Sequence, residues 1–527
     1  MFNQGEKMKT KSNWSASRCT SLVAASTVLL VLLAGCGGGS GGGDAGGGGG
    51  VTPNPSNGHV VDVSPESVEA YWGHTSALQA QVKQADGQLV AGAGLTWTSN
   101  NEAVATVSPA GVVQHNTPGD ATIAAKFSDA TGTALIRTLG FDVQSLRISD
   151  QSNCALSQDK KDIWCWGNSH PLFDNRPELQ ALSYPSPTKV NKGAIPANAT
   201  ILQVAPGFRF SCALTDAGVY CWGDPDQSEW ELRSMGTGLK APFHLPQKVL
   251  AGELPSNAQV TSIKVGAGHR ACALTASGQL YCWGDSGALM RPENQQQERY
   301  GPPWLVSKGA AGASAISDFA LGVNRSCIVA NGQMFCTANR PSETFKVVDA
   351  SEAPANVRFT KIKSEKNNGD FMGVLGSDGW LYQKGGGFGR RYGRGSTEFI
   401  SDENKLLPLF RGQIPDGAKI VDFAVGGIAG SSCVLAGNGK AYCWGAGHHG
   451  SLGDGNLDAH EALTPTEVLQ GDVPNGVKLI AIECGTYHCT AMGSNGLPYA
   501  WGYAENAASG RTTSSAVPRL VSKVDLR

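Results

Sequence analysis

Seven times between Leu146 and Trp501 the chain repeats one phrase, and five copies carry a cysteine at each end of it. The clearest read Cys212-Ala-Leu-Thr-Asp-Ala-Gly-Val-Tyr-Cys221-Trp-Gly, Cys272-Ala-Leu-Thr-Ala-Ser-Gly-Gln-Leu-Tyr-Cys282-Trp-Gly and Cys433-Val-Leu-Ala-Gly-Asn-Gly-Lys-Ala-Tyr-Cys443-Trp-Gly. Two weaker copies run from Cys154 to Cys165 and from Cys327 to Cys336. Residues 373–383 have lost both cysteines, and the last copy keeps Cys489, placed opposite Ala500. Successive copies begin 58, 60, 55, 46, 60 and 56 residues apart. Self-similarity at such a period marks a propeller or a solenoid, because one unit cannot bury its apolar face alone.

Each phrase reads as a β-hairpin whose turn holds Gly218, Gly278, Gly379 or Gly439, where positive φ costs glycine nothing. The cysteines then face each other on adjacent antiparallel strands, with Cα atoms roughly 4.5–5.5 Å apart, a separation that suits a disulfide. Proximity pairs Cys154 with Cys165, Cys212 with Cys221, Cys272 with Cys282, Cys327 with Cys336, Cys433 with Cys443, and Cys484 with Cys489. By the chain-entropy argument loops this short gain about 2.5–3 kcal/mol each. An even set of local pairs fits an oxidising compartment.

Two more segments recur around the hairpin. An apolar strand precedes it (Ile201-Leu-Gln-Val204, Val260-Thr-Ser-Ile-Lys-Val265, Ile420-Val-Asp-Phe-Ala-Val425, Leu479-Ile-Ala-Ile482), itself preceded by a turn such as Gly193-Ala-Ile-Pro196 or Gly471-Asp-Val-Pro474. A short strand after proline follows it: Pro187-Thr-Lys-Val190, Pro246-Gln-Lys-Val249, Pro465-Thr-Glu-Val468, Pro518-Arg-Leu-Val521. Four strands per unit is the size of one propeller blade. The tract Cys443-Trp-Gly-Ala-Gly-His-His-Gly450-Ser-Leu-Gly453-Asp-Gly455, followed by Pro465, resembles the repeat of the regulator of chromosome condensation family. That resemblance spans residues 145–527 and implies a seven-bladed β-propeller. Blade four departs with Cys336-Thr-Ala, and blade five with Gln383-Lys-Gly; blades two and three carry insertions in place of the glycine loop.

Residues 1–35 have a basic start, an apolar stretch from Leu22 to Leu33, and the ending Leu33-Ala-Gly-Cys36. This reads as a secretory signal whose end resembles the bacterial lipoprotein lipobox. The resemblance implies cleavage before Cys36, lipidation of its sulfur and, with Gly37 next, the outer membrane. An ordinary signal peptide or a single span is the other reading; the apolar stretch falls short of the roughly 20 residues a span needs. Residues 36–59 form a tether, with eleven glycines between 37 and 50 and an r.m.s. reach of roughly 25 Å. Residues 60–143 alternate as strands, from Val61-Asp-Val63 through Leu95-Thr-Trp97 to Gly119-Asp-Ala-Thr-Ile-Ala-Ala125. They resemble a group 2 bacterial immunoglobulin-like domain, which implies a β-sandwich serving as a spacer, with Trp97 between its sheets. The whole is all-β.

Loss of residues 1–35 leaves 38 basic and 43 acidic residues. No basic excess supplies the phosphate term of nucleic-acid binding, so no nucleic-acid partner is expected. No cofactor, metal or catalytic residue is expected either: nucleophile-elbow, zinc-protease, phosphate-loop and dinucleotide motifs are lacking. His448-His449 occupies variable loop positions. The glycines around Arg390, Arg391, Tyr392 and Arg394 align with Gly453 and Gly455, leaving a basic-aromatic surplus. Insertions at 224–245 and 285–303 carry Trp230, Arg233, Arg291 and Tyr300, with Trp304 close behind. Residues of these types on loops over a rigid scaffold make candidate partner contacts; ordinary loop variation is the plainer reading. The expectation is a lipid-anchored envelope protein, periplasmic or surface-exposed, whose propeller binds a protein or glycan and which meets the membrane only through its lipid. A propeller-type protein inhibitor is an alternative. An enzyme acting on polysaccharide or peptidoglycan is another, and it requires acidic or histidine groups converging at the propeller axis.

Overall fold

The computed structural model describes residues 58–92, 94–149, 152–168, 183–207, 210–223, 235–237, 243–266, 270–284, 302–323, 325–337, 344–365, 371–385, 387–426, 431–504 and 510–522. Seven four-stranded antiparallel sheets follow one another along the chain, each with its strands in sequence order. Blade one runs Arg147–Ile148, Ser152–Leu156, Ile163–Asn168, Ser183–Lys189. Blade seven runs Leu479–Cys484, His488–Gly493, Pro498–Gly502, Ser515–Leu520. Every blade is therefore a contiguous stretch, and among the described residues no strand is exchanged to close the ring. The phrase that repeats is the second and third strands of each blade, and the strand before it is the innermost.

All six expected disulfides are formed, with Cα atoms 4.0–4.1 Å apart, slightly closer than an unbridged pair. In five blades the bridge joins directly opposed residues of the hairpin, as Cys212 opposes Cys221. The last copy differs from the sequence reading by one residue: Ala500 opposes Thr490, while Cys489 opposes Trp501. Both hairpin cysteines are thus lost there, and Cys484 of the innermost strand bridges to Cys489 beside it.

The other repeated words are contacts between blades. At four of the junctions the turn that leads from one blade into the next donates to a proline carbonyl at the outermost strand of the blade it enters: Ala194 to Pro246, Glu253 to Pro303, Gln413 to Pro465 and Asp472 to Pro518, each at 2.8 Å. Proline suits this outermost strand, where its missing N–H breaks no ladder. The loop glycines Gly236, Gly393, Gly453 and Gly510 have positive φ. A Cβ on any of them would lie 2.6–3.0 Å from the indole of Trp283, Trp444, Trp501 or Trp166 in the following blade. The last of these contacts, Gly510 on Trp166, joins blade seven to blade one. The repeated tryptophans are accordingly buried packing residues.

The preceding domain starts at His59 and holds a four-stranded sheet built from Ser67–Tyr71, Ala130–Leu139, Gly119–Phe127 and Thr96–Ser99 in that order. A hairpin-like pair and a three-stranded sheet complete it. Val61, Val63, Leu78, Val82, Val113, Ile123 and Ile136 form its core. Trp97 packs against that core half-buried rather than enclosed between sheets.

This domain is more than a spacer. Tyr71, Trp72 and Phe141 belong to one buried cluster with Trp164 and Trp166 of blade one and Leu497, Tyr499 and Trp501 of blade seven. The Trp164 indole N–H donates to the Tyr71 hydroxyl at 3.0 Å. Trp72 meets Phe141 edge to face at 4.9 Å, and Phe141 stacks on Trp166 at 5.9 Å. The Phe141 N–H donates to Gly496 of blade seven, and the Asp142 N–H to Leu156 of blade one. The linker therefore spans the seam between the first and last blades. Asn153 of blade one crosses the same seam, accepting from the Thr490 hydroxyl at 3.0 Å and approaching His488 at 3.4 Å.

Candidate functional site

The seven innermost strands surround a cavity of about 450 Å³ at the propeller axis. Aligning them on the hairpin register gives each blade two inward positions. The third residues are Gln203, Ser262, Asp318, Lys361, Asp422 and Ala481 in blades two to seven. The fifth positions oppose the first hairpin cysteine or its replacement: Arg147, Ala205, Lys264, Ala320, Lys363, Ala424 and Glu483. Charged and small residues alternate from blade one to blade seven in this second ring, and the two charged positions Glu483 and Arg147 fall in adjacent blades where the ring closes.

These side chains bind blade to blade. Gln203 bonds both ways to the main chain of Ile263 at 2.9 Å. Asp318 accepts from the Ile362 N–H at 2.8 Å, and Asp422 from the Ile482 N–H at 3.0 Å. Lys264 pairs with Asp318 at 2.6 Å. Lys363 lies 3.0 Å from both Asp422 and Glu483, and Lys361 lies 2.7 Å from Asp422. Burial alone would raise the Asp422 carboxyl, but Lys363 and Lys361 outweigh it and hold the group far below the usual carboxylate range. Burial likewise opposes the Lys363 ammonium, and Asp422 and Glu483 outweigh it and raise it. Carboxylates do converge at the axis, as an enzyme requires, but they sit in ion-pair latches. Asp422 stays ionised through the neutral range, so it has no proton to give.

A second cluster lies where blades six and seven meet. His449 is exposed, in the left-handed region at φ 56°, and stacks on Tyr503 at 4.3 Å. His448 and Tyr487 stand within 6.5 Å of these rings. The tract containing His448 and His449 follows a third strand, Ala441–Gly447, and precedes a fourth, His460–Glu467. Both insertions hold the same place, between Gly218–Gly223 and Phe243–Lys248 and between Leu280–Gly284 and Trp304–Leu305. In an up-and-down sheet all such connections leave from one face of the ring.

Of the residues singled out from sequence, Trp230, Arg233, Arg291 and Tyr300, like Cys36, lie outside the described residues, as does the Arg390 side chain. Two others are corrected. Trp304 is 2% exposed, opposite Cys282 in the outermost strand, inside the core shared by blades two to four. Tyr392 is fully buried, edge-on to Phe371 at 4.8 Å. Both rings are enclosed in the propeller core and offer no surface to a second protein. Arg391 is paired with Glu365 and lies over Phe371, so it braces the blade-five loop. The sulfurs of Cys433, Cys484 and Cys489 lie within 4.8 Å of one another, but all three are in bridges and offer no thiolate to a metal.

Comparison with known proteins agrees with this architecture. The regulator of chromosome condensation (RCC1) repeat matches residues 438–492 and, in a second form, 260–288; the group 2 bacterial Ig-like domain matches residues 59–135. The chain carries RCC1 repeats behind a bacterial Ig-like domain, and it is an RCC1-type propeller. It is similar to the human E3 ubiquitin-protein ligase HERC2, at 25% identity over 308 residues, which cover 56% of this chain and 6% of that protein's length. It is similar also to the guanine nucleotide exchange factor SRM1 of Saccharomyces cerevisiae, at 23% identity over 68% of this chain and 82% of that protein. The crystal structure of yeast RCC1 (Prp20) bound to Kap60 superposes with a TM-score of 0.54 at 20% identity, over 73% of this chain and 85% of that one. These likenesses establish the fold.

Proposed function

We propose that this protein is a lipid-anchored recognition module of the bacterial envelope, which binds another protein with the face carrying its third-to-fourth-strand connections. One observation carries the reading: the exposed His449 and its tyrosine neighbours stand in the third-to-fourth-strand connection of blade six, the same connection that breaks the repeat in blades two and three. The scaffold beneath is rigid, with six bridges and a seam sealed by the Ig-like domain. Rigid scaffolds with variable loops are where recognition concentrates. The latched axial carboxylates favour binding over acid–base chemistry, and the bridges fit an oxidising compartment. Yeast RCC1, a protein with this propeller fold, has been crystallised bound to another protein, Kap60.

The test is affinity capture from envelope extract with residues 36–527, bridges intact, against the same chain reduced and alkylated. A discrete protein retained only by the intact chain is expected. Hydrolysis of envelope polysaccharide or peptidoglycan by the purified protein, with no protein retained, would overturn the proposal.

A further inference from the structure

Four cations and four carboxylates line the axial cavity, but their pairing leaves one cation over. Four cations line it: Arg147, Lys264, Lys361 and Lys363. The opposing carboxylates Asp318, Asp422 and Glu483 are each paired with a lysine. Glu365 also reaches the wall, and its charge is met by Arg391. Arg147 stands outside every one of these pairs. Its Nη1 donates to the carbonyls of Gln144 at 2.9 Å and Leu146 at 2.7 Å, and among the described residues no carboxylate pairs with it. Two of the guanidinium's three nitrogens are thereby left for another acceptor.

Lys361 is the most exposed of the three axial lysines. It shares Asp422 with Lys363, and its side chain is 43% exposed, where the cavity meets solvent. Burial and then the neighbouring Lys363 hold its ammonium below the ordinary lysine range. Lys363 is divided between Asp422 and Glu483, and an incoming negative charge stabilises the adjoining Lys361 ammonium against both its burial and its neighbour.

We propose that the axial cavity binds a small oxyanion, a carboxylate or phosphate group, with Arg147 as its principal donor and Lys361 as the second cation. The planar guanidinium meets such a group through two parallel N–H bonds. A volume of about 450 Å³ admits a phosphate or a small polycarboxylate, and equally the end of an acidic side chain. Gln203, Ser262 and the alanines of the inner ring supply an uncharged remainder, so the anion meets no unpaired carboxylate. This site does not depend on the protein partner proposed above.

Calorimetric titration of residues 36–527 tests it, using sodium phosphate, citrate and an uncharged-ended Gly-Glu-Glu-Gly peptide as probes and sodium chloride as the ionic-strength control. Saturable one-to-one binding of at least one probe is expected, absent with chloride and weakened about tenfold or more by Arg147→Gln. Phosphate or citrate binding would identify a free ion as the occupant, and preference for the peptide an acidic segment. Arg147→Lys keeps the charge without the fork and should fall between. No saturable binding of any probe overturns the proposal, as does binding unchanged by Arg147→Gln. Should that variant fold poorly, unchanged binding in Arg147→Lys and Lys361→Gln together overturns it.

Discussion

Replacing Phe141 by alanine removes the ring at the centre of the seam while leaving its main-chain bonds in place. Phe141 is fully buried, between Trp72 of the Ig-like domain and Trp166 of blade one, in a cluster that continues into Leu497 and Tyr499 of blade seven. Truncation of an enclosed phenylalanine costs about 3–5 kcal/mol through lost transfer energy and the cavity left behind. Here that loss falls on both domains at once. Urea unfolding of residues 36–527, followed by tryptophan fluorescence, should show the propeller and Ig-like transitions moving together by that amount. Leu135→Ala, at a position 50% exposed on the same domain, is the control and should stay within about 0.5 kcal/mol. A loss below about 1 kcal/mol, or a propeller transition that does not move, would refute the reasoning: the ring would then be closed without the linker.

Three other perturbations test separate links. Burial pulls the His488 imidazole from 6.5 down to about 4. The fold favours the neutral ring, so its contribution is complete above about pH 6.5 and is lost as pH falls toward 4, by up to about 3 kcal/mol. His488→Gln should flatten the fall in urea midpoint between pH 7 and 4, and an equally steep fall would contradict the assignment. Lys363→Met strips Asp422 and Glu483 of their shared cation and should cost about 3 kcal/mol or more in the same assay; a neutral result would show that the latches do not hold the ring. Cys36→Ala should move the protein from the detergent phase to the soluble fraction, and continued membrane association would argue against a lipid anchor.

What the sequence made legible is what depends on neighbours along the chain. The hairpins, five of the six opposed cysteine pairs and the loop glycines all repeat at short range, so their spacing reveals them. The axial charges were hidden for a physical reason. Polar residues at alternate positions of a strand ordinarily mark a solvent face, and in Ile420-Val-Asp-Phe-Ala-Val425 one aspartate looks incidental. Only when the innermost strands are stacked in register do Asp318, Lys361 and Asp422 share a position. Trp304 misled because it directly follows an insertion, although it already lies in the fourth strand. Tyr392 misled because arginines surround it, while its own ring fills the slot beside Phe371. Tyr71 and Trp72 carry no local signal, since Tyr71 meets Trp164 ninety-three residues on and Trp72 meets Phe141 sixty-nine residues on.

The most direct test of the recognition role is photo-crosslinking in living cells. A photoreactive phenylalanine is placed at His449 on the propeller face and, in a second strain, at Leu135 on the Ig-like domain; both positions are exposed. A discrete protein adduct from His449 and none from Leu135 is the expected result. Adducts from Leu135 alone, or from neither position while envelope glycan is turned over, would contradict it.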